Sequence, residues 1–213
     1  MDKKRARKPE EKEIRKQSIV TALRNILLKR KYPLPSTQEI AEAAGVTKGV
    51  IYFYFKTREE IFLTLHLQET DIFFQSLAVL LEDGQYSLPK LKETIVEQFC
   101  SNHVFMFLGL IIPGILESNV DHDFLYDFKL RISEGIDELA RAWLAKEADL
   151  TIVDSRKFIL RFYFLALMLW QHHNPPEAIQ TAFRNKNLWL LEGDLKQALS
   201  ESFDWLWKGM KSA

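Results

Sequence analysis

One cysteine, Cys100, occurs in the whole chain. A single thiol excludes an internal disulfide and suits a reducing compartment. Long apolar runs are also missing. The longest, Val104 to Leu116 and Phe158 to Trp170 with Arg161 inside it, fall short of the ~20 residues that cross a bilayer. They read as buried helices, so no membrane partner is expected. No secretory leader is expected either, because the basic opening Met1 to Lys8 runs into PEEKEIRK where an apolar segment would be needed. These features point to the cytoplasm. The motifs G-x-x-x-x-G-K-[ST], G-x-G-x-x-G, G-x-S-x-G and H-E-x-x-H are absent. Carboxylate pairs such as Glu59-Glu60 and Asp121/Asp123 sit in polar surroundings that suit caps or a solvated turn, so no enzyme activity and no cofactor are expected. His172-His173, His103 and His122 match no standard zinc spacing, and no metal site is expected.

Net charge is missing too, with 29 Lys and Arg against 29 Asp and Glu. Taken alone that argues against a nucleic-acid binder. The distribution reverses the argument: residues 1 to 70 hold 15 cations against 9 anions, and residues 71 to 213 hold 14 against 20. Positive potential is gathered at one end, with an acidic body behind it. What the chain does have is core material. Apolar residues make up 47% and include 15 Phe and 5 Trp, a globular composition.

The stretch from Ser36 to Thr57, STQEIAEAAGVTKGVIYFYFKT, reads as two short helices joined by a tight turn. Ser36 and Glu39 have the spacing of a capping box, which satisfies the open amides of a helix start. Ile40, Ala41 and Ala44 then share a face. Gly45 ends that helix, since glycine accepts the left-handed conformation that reverses the chain. Thr47 is a second N-cap candidate. If Ile51, Tyr54 and Phe55 turn inward, Lys48, Gly49, Val50, Tyr52 and Phe53 are left outside. Such a face suits entry into a groove: Lys48 and the positive helix end meet phosphates, and Gly49 allows close backbone approach.

The run IAEAAGVTKGVIYFYFKTREEIF, Ile40 to Phe62, resembles the TetR family of bacterial transcriptional regulators. It follows the family pattern I-A-x-x-A-G-V-[ST]-x-G-x-[IL]-Y-x-[YH]-F, and the resemblance covers about Ser18 to Leu65. Two positions depart from the common form: Val50 stands where many members have threonine, and Lys31-Tyr32 where many have glycine before the aromatic. The resemblance implies an all-α protein with three parts. These are a basic arm (1–13), a three-helix helix-turn-helix DNA-binding domain (14–58), and a larger helical ligand-binding and dimerisation domain (59–213). It implies a regulator, a repressor that binds a double-stranded palindromic operator as a homodimer and is released by a small hydrophobic or aromatic effector. Phosphate contacts are expected from Thr37, Lys48, Tyr52 and Arg58, base-edge contacts from Gln38, Lys48, Gly49, Val50 and Phe53, and Thr47 belongs to the same DNA-binding set. The arm KKRARK reads either as a solubilising tail or as a phosphate-following segment using Lys3, Lys4, Arg5 and Arg7.

Around this stretch the pattern is helical throughout. Ile14 to Lys31 places Ile19, Ala22, Leu23, Ile26 and Leu27 on one face. Thr57 and Glu60 form another capping-box pair opening a helix that ends at Asp83-Gly84. Further helices are expected over Leu88 to about His103, Val104 to Glu117 with a break at Pro113-Gly114, Phe124 to Ala148, Val153 to His172 and Asp194 to Lys211, with a weaker one in Pro175 to Glu192. The last two strong helices offer more apolar surface than one bundle needs. A dimer seam is expected at Phe158, Phe162, Leu165, Leu169, Leu195, Leu199, Ser202, Leu206 and Met210. The aromatic-rich middle supplies core and a pocket at Phe99, His103, Phe107, Phe124, Phe128, Tyr163 and Trp170. Three other readings stay open: a ligand-independent regulator or activator of the same build, a helical lipid carrier or enzyme, and an interaction scaffold.

Overall fold

The computed structural model describes residues 9–84, 86–147, 149–177, 179, 181 and 193–212. All regular structure among them is helical. Helix α1 (Pro9–Lys29) is followed by α2 (Thr37–Ala43), α3 (Lys48–Tyr54) and the long α4 (Arg58–Glu82). Then come α5 (Leu88–Ser101), α6 (His103–Ile111), α7 (His122–Leu144), α8 (Ile152–His173) and α9 (Leu195–Lys211). The basic arm with Lys3, Lys4, Arg5 and Arg7, and most of Pro175 to Glu192 with Trp189, lie outside the described residues.

Polar caps set most of these boundaries. The Ser36 hydroxyl accepts from the Glu39 amide while the Glu39 carboxylate accepts from the Ser36 amide, a complete capping box. Thr57 accepts from Glu60 N, but the Glu60 carboxylate reaches one residue further back, to Lys56 N at 2.7 Å. Ser87, Asp121 and Thr151 cap α5, α7 and α8 in the same manner. Two boundaries depart from the sequence reading. Helix α1, expected from Ile14, begins at Pro9, so residues 9–13 of the expected arm are helical. The helix expected to continue to His103 stops at Asn102, whose side chain accepts from Phe105 N and starts α6. The chain turns by 77° there. The expected break at Pro113-Gly114 is a five-residue π-helical turn, Ile112–Leu116, which continues from α6 without leaving the helical path.

Helix α1 packs on α2 and α4, and Ile19, Val20, Leu23, Ile40, Ile51, Phe55 and Phe62 form the buried centre of this first module. Helices α4 to α9 make the larger body. Helix α4 belongs to both: Ile61, Phe62 and Leu65 are buried near its start, and Phe73, Leu77 and Leu80 further along. The modules are clasped at several points. Glu69 on α4 is 2% exposed and accepts from Arg24 of α1 at 2.5 Å and from the amide of Asn102 at 2.8 Å. Lys31 lies 4.6 Å from the ring of Trp170 on α8, and Tyr32 meets Phe107 of α6 edge-on at 5.3 Å.

Candidate nucleic-acid interface and effector cavity

Helix α3 is too short to hold itself by backbone propagation alone, so packing must hold it. Ile51 and, just past its end, Phe55 are buried and supply that packing. Gly45, at φ +64°, makes the reversal that brings α3 against α2. The opposite face is open: Thr47, Lys48 and Gly49 are exposed, Tyr52 is 53% and Phe53 64% exposed, and Val50 is half-buried. Thr47 occupies the N-cap position, yet its side chain makes no cap hydrogen bond. Gly49 is not required by the protein's own packing, because a Cβ there would meet Thr47 Oγ1 at an ordinary 3.8 Å. Lys12 of α1 reaches over the outer ring of Phe53 at 5.7 Å.

Of two further residues expected on this face, Thr37 is turned away from it and Arg58 is engaged by a neighbour. Thr37 is buried in the first turn of α2, leaving Gln38 as the exposed neighbour, hydrogen-bonded to Glu42. Arg58 is half-buried, with its guanidinium donating to Glu59 at 2.8 Å. The start of α2, which must also seal the module, takes Thr37 inward, whereas Arg58 stays partly exposed and is held by its neighbour Glu59.

In the larger body, α4, α5, α6, α7 and α8 line a cavity of about 380 Å³. Phe99, Phe128 and Tyr163 line it as expected. His103, Phe107, Phe124 and Trp170 do not. Helix α6 turns Phe105 and Gly109, one helical turn apart, toward the cavity, which directs Phe107 to Tyr32 at the module junction. His103 lies against Trp170, ring centres 5.7 Å apart, and Phe124 is half-buried beside the core. His66, Thr70 and Phe73 of α4 line the cavity and were missed. The signal was there: His66 and Thr70 are polar residues one turn apart on a stripe where Phe62, Phe73 and Leu77 are apolar.

His66 is 4% exposed and stacks on Phe105 at 5.3 Å. Burial, with Lys129 a lesser cause, pushes its pKa down to about 3, so the imidazole is neutral. Its Nε2 lies 3.3 Å from the Tyr163 hydroxyl and its Nδ1 3.4 Å from Thr70 Oγ1. Burial pushes the Tyr163 phenol upward.

The expected dimer seam divides. Phe158, Phe162, Leu199 and Ser202 are buried within their own chain, where Phe203 of α9 packs edge-on against Phe158 at 4.9 Å and Phe162 at 5.2 Å. Leu165 is exposed, and Leu169, Leu195, Leu206 and Met210 are half-buried. Exposed apolar residues outside the expected set are Val153, Leu160, Phe164 and Met168 on α8 and Trp205 on α9.

A family model described as "Bacterial regulatory proteins, tetR family" matches residues 19–65, and one described as "Tetracyclin repressor-like, C-terminal domain" matches residues 67–213. The chain belongs to the TetR family. It is a DNA-binding transcriptional regulator with a C-terminal ligand-binding domain. The two matched spans meet inside α4, the helix shared by both modules. Solved structures of TetR-like regulators share the fold. E. coli NemR in its reduced form superimposes with a TM-score of 0.56 at 15% identity, covering 90% of this chain and 96% of its own. A putative TetR-family regulator from Mesorhizobium loti gives 0.54 at 18%, covering 94% and 96%. FadR from Bacillus subtilis, in complex with stearoyl-CoA, gives 0.53 at 15%, covering 88% and 96%. Comparison with curated proteins finds no match.

Proposed function

We propose that this TetR-family regulator is a cytoplasmic, non-enzymatic repressor that grips a palindromic operator as a homodimer and lets go when a small apolar effector fills the cavity. The observation that carries the reading is the double membership of α4. Ile61, Phe62 and Leu65 fix the helix in the reading module, while His66, Thr70 and Phe73 form cavity wall within the next three turns. A ligand that pushes on that wall therefore acts on the rod that positions α3. By the same logic the proposed division is an arm ahead of α1, a reading module from α1 to the first turns of α4, and a body from there onward.

Lys48, Gly49, Val50, Tyr52 and Phe53 would enter the major groove, with Gln38 and Thr47 beside them and Lys3, Lys4, Arg5 and Arg7 along the backbone. The exposed α8 residues Leu160, Phe164, Leu165 and Met168, with Trp205 of α9, give the homodimer its seam. An apolar patch of this kind favours pairing of like faces about a two-fold axis. In solution, an apolar compound that raises the melting temperature of the free protein should also lift it from operator DNA in a fluorescence anisotropy titration. Stabilisation with unchanged DNA affinity would detach the cavity from the reading module.

Gly49→Ala supplies a second test. Glycine inside a helix costs about 0.5–1 kcal/mol relative to alanine, and the free protein has room for the methyl. The variant should therefore be more stable yet bind duplex about tenfold less tightly, because a methyl now stands where the backbone must approach the groove. Equal affinity would remove Gly49 from the contact.

A further inference from the structure

The polar groups inside the cavity restrict what it can hold, given the effector reading above. Three hydroxyl and imidazole groups form a directional relay. Thr70 Oγ1 donates to the carbonyl of His66 at 2.8 Å, so toward the imidazole it can only accept. His66 Nδ1 at 3.4 Å therefore carries the ring proton and donates to it. That leaves Nε2 as an acceptor for the Tyr163 hydroxyl at 3.3 Å. At the end of the relay the Tyr163 oxygen has spent its proton and keeps only lone pairs. Its place is built in: a Cβ on Gly109 would come within 2.2 Å of it, so α6 admits this hydroxyl only because residue 109 is glycine.

The charged residues that line the cavity are already paired. Arg156 and Asp137 meet through Nε–Oδ1 at 2.6 Å and Nη2–Oδ2 at 2.7 Å. Lys129, half-exposed, pairs with Glu117. An anionic or cationic ligand would have to break one of these pairs to gain an opposite charge in place of its lost water. The remaining wall is apolar, aliphatic and aromatic in similar measure, and its aromatic part is an ordered stack, with Phe73 on Phe99 at 5.2 Å and on Phe105 at 5.5 Å.

We infer that the cavity selects an uncharged aromatic molecule bearing one hydrogen-bond donor, a hydroxyl that donates to Tyr163, and discriminates against carboxylates and amines of the same skeleton. Four naphthalene probes test this by calorimetry on the full chain: 2-naphthaleneethanol, its methyl ether, 2-naphthylacetate and 2-(2-naphthyl)ethylamine. The alcohol should bind at least tenfold more tightly than either ion, and about three- to tenfold more tightly than the ether, as one neutral hydrogen bond allows. Tyr163→Phe should abolish the gap between alcohol and ether while leaving ether affinity within twofold. Tighter or equal binding of an ion, or a gap that survives in Tyr163→Phe, overturns the inference and leaves the effector reading standing. If the alcohol ranks first but releases no DNA, the effector reading falls and the inference stands. Binding of none of the four overturns both.

Discussion

Replacing Lys48 and Tyr52 with alanine should weaken operator binding by ~1–3 kcal/mol each, the cost expected for one good phosphate or base contact, while leaving the melting temperature unchanged. Both side chains are exposed on the free protein, Tyr52 by 53%, so neither supports the module core. Surface substitutions of that kind usually shift stability by less than ~0.5 kcal/mol. The double variant should lose about 2–6 kcal/mol if the sites are independent, which is nearly thirtyfold in affinity at the lower bound. Lys48 carries a second signature. Each cation withdrawn from a phosphate should reduce the slope of log affinity against log salt by about one. Tyr52→Ala should leave that slope as it is, because a phenol releases no counterion.

The second large effect concerns the clasp between the modules, and it is asymmetric. Arg24→Leu leaves the Glu69 carboxylate, 2% exposed, with only the Asn102 amide as partner. Stranding one member of a buried pair costs ~3–5 kcal/mol. Arg24 is 42% exposed, so water screens part of its contribution, and a loss of about 2–3 kcal/mol is expected here. For a chain of this length that lowers the melting temperature by roughly 5–10 °C. Glu69→Leu should cost less, about 1 kcal/mol, because the released guanidinium can hydrate and leucine suits the site. Chemical denaturation of both variants checks the order. If Glu69→Leu proves the more damaging, the Arg24 contact carries little and the modules are held by apolar packing alone. Loss of the clasp should also blunt effector release, since α1, α4 and the cap of α6 meet at this one carboxylate.

How much of this was legible in the sequence depended on whether a residue's role is local. The Ser36 box, the Gly45 reversal and the outward set on α3 follow from spacing within a dozen residues; the box, the reversal and the exposure of Lys48, Gly49, Tyr52 and Phe53 appear in the structure, while Val50 and Tyr54 are both half-buried. Asn102 was equally local, an N-cap residue three positions before Phe105, and it was overlooked because the helix pattern runs on through Ser101 to His103. Choices between partners were not legible. Helix α8 is apolar on nearly every side, so its sequence does not say that Phe158 and Phe162 meet Phe203 of their own chain while Phe164 and Met168 stay exposed. Of the expected pocket residues, Phe99, Phe128 and Tyr163 line the cavity, and Trp170 instead receives Lys31. Which rings face a void depends on how five helices are rotated about one another, and Gly109 permits the close approach where Tyr163 crosses α6.

The central claim is that the outward face of α3 reads DNA from two subunits at once. It is tested most directly by selecting binding sites from a random duplex library with the full chain at low salt, and repeating the selection with Lys48→Ala/Tyr52→Ala. The account predicts enrichment of one two-fold symmetric sequence whose half-sites sit about one helical turn apart, and no enrichment with the double variant. An unsymmetric or unenriched pool from the wild-type protein, or the same site recovered by the variant, would contradict it.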